Sequence, residues 1–259
     1  MVLSLYLYVN EKDTIGVCFS LAAVGHLLIA NEDALALNTN GVLLLSFRYS
    51  IVDDPVSVLR SWRLEDETPC SWRGVTCDES SRHVTVLSLP SSNLTGTLPS
   101  NLGSLNSLQR LDLSNNSING SFPVSVLNAT ELRFLDLSDN HISGELPASF
   151  GALSNLKVLN LSDNSFVGEL PKALGWNRNL TVISLKNNYF SGQISGRFKS
   201  TEYLDLSSNL IKGSLPSRFR GNRLRYFNAS NNRISGGIPS GFADEIPENA
   251  TVDLSFSHQ

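Results

Sequence analysis

The chain has 259 residues, 41% of them apolar and only 17% charged, and its formal net charge is −4. That length is enough to bury a sizeable core in one elongated domain. The acidic balance and the lack of any Lys/Arg-rich run exclude the electrostatics of a nucleic-acid binder.

Residues 1–36 do not share the pattern of the rest. Ile15 to Ala30 is an apolar run behind Lys12, too short for a membrane span of about 20 residues. Ala34-Leu35-Ala36 then supplies a small-x-small cleavage signature. The segment is expected to be a secretory signal peptide cut near Leu37, taking Cys18 with it. Glu11 and Asp13 offset Lys12, and MVLSLYLYV adds a second apolar stretch, so a mis-assigned first exon is the alternative reading.

Residues 37–82 open with an apolar-periodic run, LNTNGVLLLSFRYS, and continue to Trp62, Pro69, Cys70, Trp72, Gly74, Val75 and Cys77. From residue 83 to residue 250 a single string returns. Its glycines are Gly96, Gly120, Gly144, Gly168, Gly192, Gly213 and Gly236, at spacings of 24, 24, 24, 24, 21 and 23 residues. A period of this size marks a repeat protein. Each unit opens Leu-x-x-Leu-x-Leu, which alternates as a short strand with one buried face. An Asn follows in six units, Asn116, Asn140, Asn164, Asn188, Asn209 and Asn232. There the chain must turn, and a stacked amide can satisfy the backbone groups that the turn leaves unpaired. No unit can bury its leucines alone, so neighbours must stack into one continuous core. Three irregularities stand out: Ser92 replaces the first Asn, the fifth unit is short and has Ser195 for Pro, and Ala229 replaces a Leu.

The unit LxxLxLxxNxLxGxLPxxLxxL resembles the plant-type leucine-rich repeat, and residues 37–82 resemble the N-terminal cap of plant leucine-rich repeat receptor-like kinases. The resemblance implies a curved right-handed solenoid with short parallel strands on its concave face and a helical, disulfide-clipped cap. The division it implies is a signal peptide (1–36), the cap (37–82), about seven repeats (83–250) and a truncated eighth (251–259). Cys70 and Cys77 are read as the disulfide of the cap; a zinc site would need a His pair at ligand spacing, which the sequence lacks nearby. A disulfide in turn implies an oxidising compartment. Eight sequons agree with secretion: Asn93, Asn115, Asn119, Asn128, Asn160, Asn179, Asn228 and Asn249. Asn160 and Asn228 are expected to project from the concave sheet.

The outward strand positions form two columns. The first runs Val86, Arg110, Phe134, Val158, Val182, Tyr203, Tyr226; the second runs Ser88, Asp112, Asp136, Asn160, Ser184, Asp205, Asn228. Exposed aromatic and aliphatic groups beside carboxylates suit a peptide or protein contact. The expected contact set is Arg110, Asp112, Phe134, Asp136, Val158, Val182, Tyr203, Asp205 and Tyr226; ordinary strand propensity is the competing explanation of its Val, Phe and Tyr. Charge is also uneven. Residues 176–259 carry 10 Lys/Arg against 6 Asp/Glu, a net of +4, and Lys212, Arg218, Arg220, Arg223, Arg225 and Arg233 fall in the last two complete units. Those six suggest either a solvated edge or a docking patch for an acidic partner.

No catalytic set is visible. The four His, at 26, 83, 141 and 258, have no patterned Ser or Cys partner, and no phosphate-binding glycine loop is present. Asp112, Asp136 and Asp205 share one strand position and could imitate the paired carboxylates of a glycosidase, but Leu-Asp-Leu-Ser is what the repeat writes there. No catalytic residue, cofactor or metal is therefore expected. The resemblance implies the extracellular ligand- or co-receptor-binding part of a receptor-like kinase, acting at the cell surface on a peptide or protein ligand or another ectodomain. Any membrane attachment would run through a further C-terminal segment. A free-standing secreted repeat protein, such as an inhibitor of microbial cell-wall hydrolases, is the alternative. Such a protein needs a polar or disulfide-bonded last cap, and no Cys follows Cys77.

Overall fold

The computed structural model describes residues 5–9, 15–19, 37–194 and 197–255. Most of the expected signal peptide and the end of the eighth unit lie outside these. The elements in chain order are β1 (Leu5–Val9), β2 (Ile15–Phe19), α1 (Thr39–Ser50), β3 (Ile51–Asp53), β4 (Val75–Cys77), β5 (Val84–Ser88), β6 (Thr95–Thr97), β7 (Arg110–Asp112) and β8 (Ser117–Ser121). There follow β9 (Phe134–Asp136), β10 (His141–Glu145), β11 (Val158–Asn160), β12 (Ser165–Val167), α2 (Lys172–Trp176), β13 (Val182–Ser184) and β14 (Tyr203–Asp205). The last are β15 (Lys212–Gly213), β16 (Tyr226–Asn228), β17 (Arg233–Ile234), α3 (Ser240–Ala243) and β18 (Thr251–Asp253). The backbones of β1 and β2 pair as an antiparallel hairpin.

The cap is built around two tryptophans. Asn38 accepts the Gly41 N–H at 2.9 Å and so starts α1. Asp54 does the same for the next turn, taking the Val58 and Leu59 N–H groups. Trp62 and Trp72 are buried and stack at 5.2 Å, with Phe47 tilted against Trp62 at 5.9 Å. Both indole N–H groups are satisfied, by the Arg73 carbonyl and by Asp66 Oδ2. Cys70 and Cys77 form the disulfide, with Cα atoms 5.4 Å apart. It holds β4 where it pairs antiparallel with β5 and begins the main sheet.

That sheet runs β4-β5-β7-β9-β11-β13-β14-β16-β18, parallel from β5 onward. The leucines of each unit are buried beneath it as one core, from Leu87 and Leu111 to Leu204 and Phe227. A second sheet, β3-β6-β8-β10-β12, lies on the outer side, where Asn-x-apolar-x-Gly follows the turn. Gly192 illustrates why glycine recurs there: its φ is +77°, and a Cβ would sit 2.9 Å from Glu169 Cγ.

The stacked amides act as expected. Asn140 Oδ1 accepts the Ile118 N–H of the coil before, and its Nδ2 donates to the Leu113, Leu137 and Ser138 carbonyls. Asn164, Asn188, Asn209 and Asn232 repeat this. In the first unit Ser92 donates its N–H to Asn116 instead. The residue just before each ladder Asn adopts a left-handed conformation, as at Asn115, Asp139, Asp163, Asn187 and Asn231 (φ 51° to 55°). Asn and Asp tolerate that region best.

The short fifth unit does not disturb the main sheet, because Val182 pairs with Tyr203 in the same register as its neighbours. The shortening is absorbed on the outer side. There the strand assignment thins to a Glu169–Ser191 bridge before β15 and β17 pair separately, although Leu210 N–H still bonds the Phe190 carbonyl. Ala229 is buried, and in the same part of the core Phe219, Phe227 and Phe242 pack on one another, with centroids 4.8 to 5.9 Å apart.

Candidate ligand-binding face

The main sheet brings the first outward column into direct register. Arg110, Phe134, Val158, Val182, Tyr203 and Tyr226 are cross-strand neighbours, each half-buried. In a parallel ladder such neighbours stand about 4.8 Å apart, so the column is a continuous stripe. It has three parts. At one end the Arg110 guanidinium lies 3.6 Å from the centre of the Phe134 ring and 2.8 Å from Asp112 Oδ2. Val158 and Val182 form an aliphatic middle. At the other end the Tyr203 and Tyr226 rings stack at 4.4 Å, only 6° from parallel.

The second column is more structural than the sequence suggests. Asp112, Asp136 and Asp205 each direct Oδ1 to the N–H and hydroxyl of the Ser two residues on, Ser114, Ser138 and Ser207. Asn160 and Asn228 do the same with Ser162 and Ser230. These are local side-chain turns that fix the chain as it leaves the strand. Asp112 and Asp205 are consequently buried, 7% and 4% exposed, rather than pointing freely outward. Only Oδ2 of each faces the stripe. Asp205 Oδ2 lies 3.5 Å from both tyrosine hydroxyls, and Asp136 Oδ2 takes Asn160 Nδ2 at 3.1 Å. The sequence signal for this role is the Ser two residues after each Asp.

The electrostatics follow from these contacts. Burial, with the Asp205 carboxylate and Tyr226 beside it, pushes the Tyr203 phenol up to about 12. The phenol therefore stays a neutral donor across the physiological range. Asp253, at the same strand position in the last unit, is held below the usual carboxylate range by the Ser255 N–H and hydroxyl. Among the described residues no cluster of His, Cys, Asp or Glu could hold a metal ion.

The six cations of the last two complete units are divided among different elements. Lys212 and Arg233 lie on the outer strands β15 and β17, and Arg225 pairs with Glu202 at 3.5 Å. Arg220 and Arg223 instead line a groove with residues of earlier units that the sequence reading passed over, Trp176, Arg178, Arg197 and Lys199. Sequons also divide. Asn93, Asn119, Asn128 and Asn249 are exposed; Asn115 and Asn179 are exposed with Nδ2 donating to Ser91 Oγ and the Ser154 carbonyl; Asn160 and Asn228 are half-buried with Nδ2 donating to Asp136 and the Tyr226 hydroxyl. Both stand on main-sheet strands, β11 and β16, with their amide nitrogens engaged.

Comparison with known proteins gives a consistent picture. Residues 31–78 match the leucine rich repeat N-terminal domain, and residues 82–142, 130–174, 200–222 and 223–244 match leucine-rich repeat models. A receptor protein kinase-like protein of Arabidopsis thaliana is 61% identical over 240 residues, 90% of this chain and 32% of the relative. A probable leucine-rich repeat receptor-like serine/threonine-protein kinase of the same plant is 69% identical over 223 residues, 86% of this chain and 29% of the relative. The chain thus spans under a third of the length of each. Among solved structures, the ectodomain of the Arabidopsis thaliana membrane receptor kinase GASSHO1/SCHENGEN3, in complex with CASPARIAN STRIP INTEGRITY FACTOR 2, superposes with a TM-score of 0.78. It is 30% identical and aligns with 84% of this chain and 27% of its own.

Proposed function

Because the chain belongs to the plant leucine-rich repeat receptor-like kinases, as their cap and repeat ectodomain, we propose that it binds a peptide or protein at the cell surface through its main sheet. The observation that carries this reading is the uninterrupted stripe from Arg110 to Tyr226, half-buried and in strand register. Apolar and aromatic groups at fixed spacing, flanked by carboxylate oxygens already oriented by serines, form a pre-organised surface. A segment laid across it would lose little to receptor reordering. The complex of the GASSHO1/SCHENGEN3 ectodomain with CASPARIAN STRIP INTEGRITY FACTOR 2 supports the same reading. Its setting is extracellular, reached through the secretory pathway, with signalling passed on by a longer receptor. Among the described residues no helix is long and apolar enough to cross a membrane.

The test is calorimetric titration of synthetic secreted plant peptides into the purified, glycosylated chain. A peptide that binds should lose at least tenfold in affinity to the Phe134→Ala, Tyr203→Ala double variant. Lys186→Ala, exposed and outside the stripe, should bind it normally. Unaltered binding by the double variant would move the site away from this face.

A further inference from the structure

Outside the main sheet, one more surface is organised by the repeat. Strand register aligns Val182, Tyr203 and Tyr226. Counting back six residues places Trp176, Arg197 and Arg220 in one column. Counting back four places Arg178, Lys199 and Asn222 in a second, beside Arg223. All lie on the edge that leads into the strands, and they line one open groove of about 630 Å³. The same two columns hold small neutral residues in the units before, Asn128, Ala152, Thr130 and Ser154. The basic character is therefore confined to three successive coils.

Five cations face this groove, and among the described residues none has a carboxylate within ion-pair distance. The acid of the following coil, Glu245, accepts the Arg220 backbone N–H. Trp176 is 57% exposed, with the Arg197 guanidinium 5.4 Å from its ring centre. It also separates this groove from a second depression lined by Gly151, Ser154, Ala173 and Asn179. The two share Trp176, Asn177 and Arg178, and the second carries the exposed sequon Asn179, so the first is the site open to a ligand on the glycosylated chain. A large exposed indole on a soluble surface, set among unpaired guanidinium groups, marks a recognition site rather than packing.

We propose that this groove binds a linear acidic polysaccharide, a polymer of uronic acid units. Arg and Lys rows match carboxylates repeated along a chain, and Arg does so in a planar, two-pronged way. The rows recur once per coil, about 4.8 Å apart or slightly more on this outer edge, near the rise of one sugar unit. The indole offers a flat apolar surface to a pyranose face. A peptide partner is disfavoured because Trp176 is the one large apolar side chain in the lining, so no pocket exists for a buried anchor. This site is independent of the main-sheet stripe.

The experiment is a binding titration of the full glycosylated chain with oligogalacturonate of defined length. The same oligomer methyl-esterified and poly-glutamate of matched charge serve as the other arms. The oligogalacturonate should bind, weaken by about tenfold or more between low and physiological salt, and be lost on esterification. Arg197→Ala with Lys199→Ala should weaken it about tenfold, as two partly screened ion pairs would. Trp176→Ala should weaken oligogalacturonate but leave any poly-glutamate binding unchanged. Phe134→Ala with Tyr203→Ala should change nothing. Equal binding of the esterified oligomer, tighter binding of poly-glutamate, or indifference to Trp176→Ala would each overturn the assignment. All substituted side chains are exposed or half-buried, so circular dichroism can verify that each variant folds.

Discussion

The ladder asparagines show how much one side chain can carry. Asn188 serves the Phe166 N–H and the Leu161, Leu185 and Lys186 carbonyls, in a buried setting. Asn188→Ala should therefore cost roughly 2–4 kcal/mol, since several buried groups lose their partner at once. A fall in the urea midpoint of that size would verify it; a change within error would show that water replaces the amide. Tyr203 gives a second residue-scale expectation. Its phenol titrates near 12 against an ordinary 10, so the folded state favours the neutral form. The stability it contributes is complete below pH 10 and is lost as pH rises to about 12. Ultraviolet titration should find a late phenol that is missing in Tyr203→Phe. The role of Asn in the turn was legible because it stands four residues before the repeat glycine in every unit that carries it. The role of the Asp-x-Ser pairs was not, because exposed-position chemistry and a local turn use the same residues.

At the scale of elements, the cap and the coil contacts are set by small features. The disulfide closes a short loop, with a sequence separation of 7. Loop entropy assigns it about 2.5 kcal/mol, so Cys70→Ser with Cys77→Ser should lower stability by roughly that amount, measured by denaturant unfolding. Gly103 is tighter still: a Cβ there would fall 1.6 Å from the Ser125 carbonyl oxygen of the next coil. Gly103→Ala should cost about 1–3 kcal/mol through forced separation of two coils. The strands were legible in Leu-x-x-Leu-x-Leu, whose alternation has one solution. The basic groove was not. Its cations are six, four and, for Arg223, three residues ahead of the strands, on loops of unequal length, and only the strand register aligns them.

For the whole molecule, the period declared the solenoid and the paired tryptophans declared its cap. What the period could not declare is which outward groups remain available once coils stack. Asn160 and Asn228 are the clearest case, since both carry a sequon yet hold their Nδ2 in the sheet. Peptide mapping of secreted material should find glycan on Asn93, Asn119, Asn128 and Asn249 and not on those two.

The stacked amides also have a direction. Each reaches back to the preceding coil, as Asn140 does for Ile118 and Leu113 and Asn164 for Ile142 and Leu137. The side-chain bonds of Asn116, Asn140, Asn164, Asn188 and Asn209 run to the preceding coil or stay within their own. A coil leaving the ribosome therefore stays provisional until its successor, some 22 residues behind, has emerged to close its turn. Synthesis runs in the same sense as this dependence, so the chain can lock itself one turn at a time while still being made.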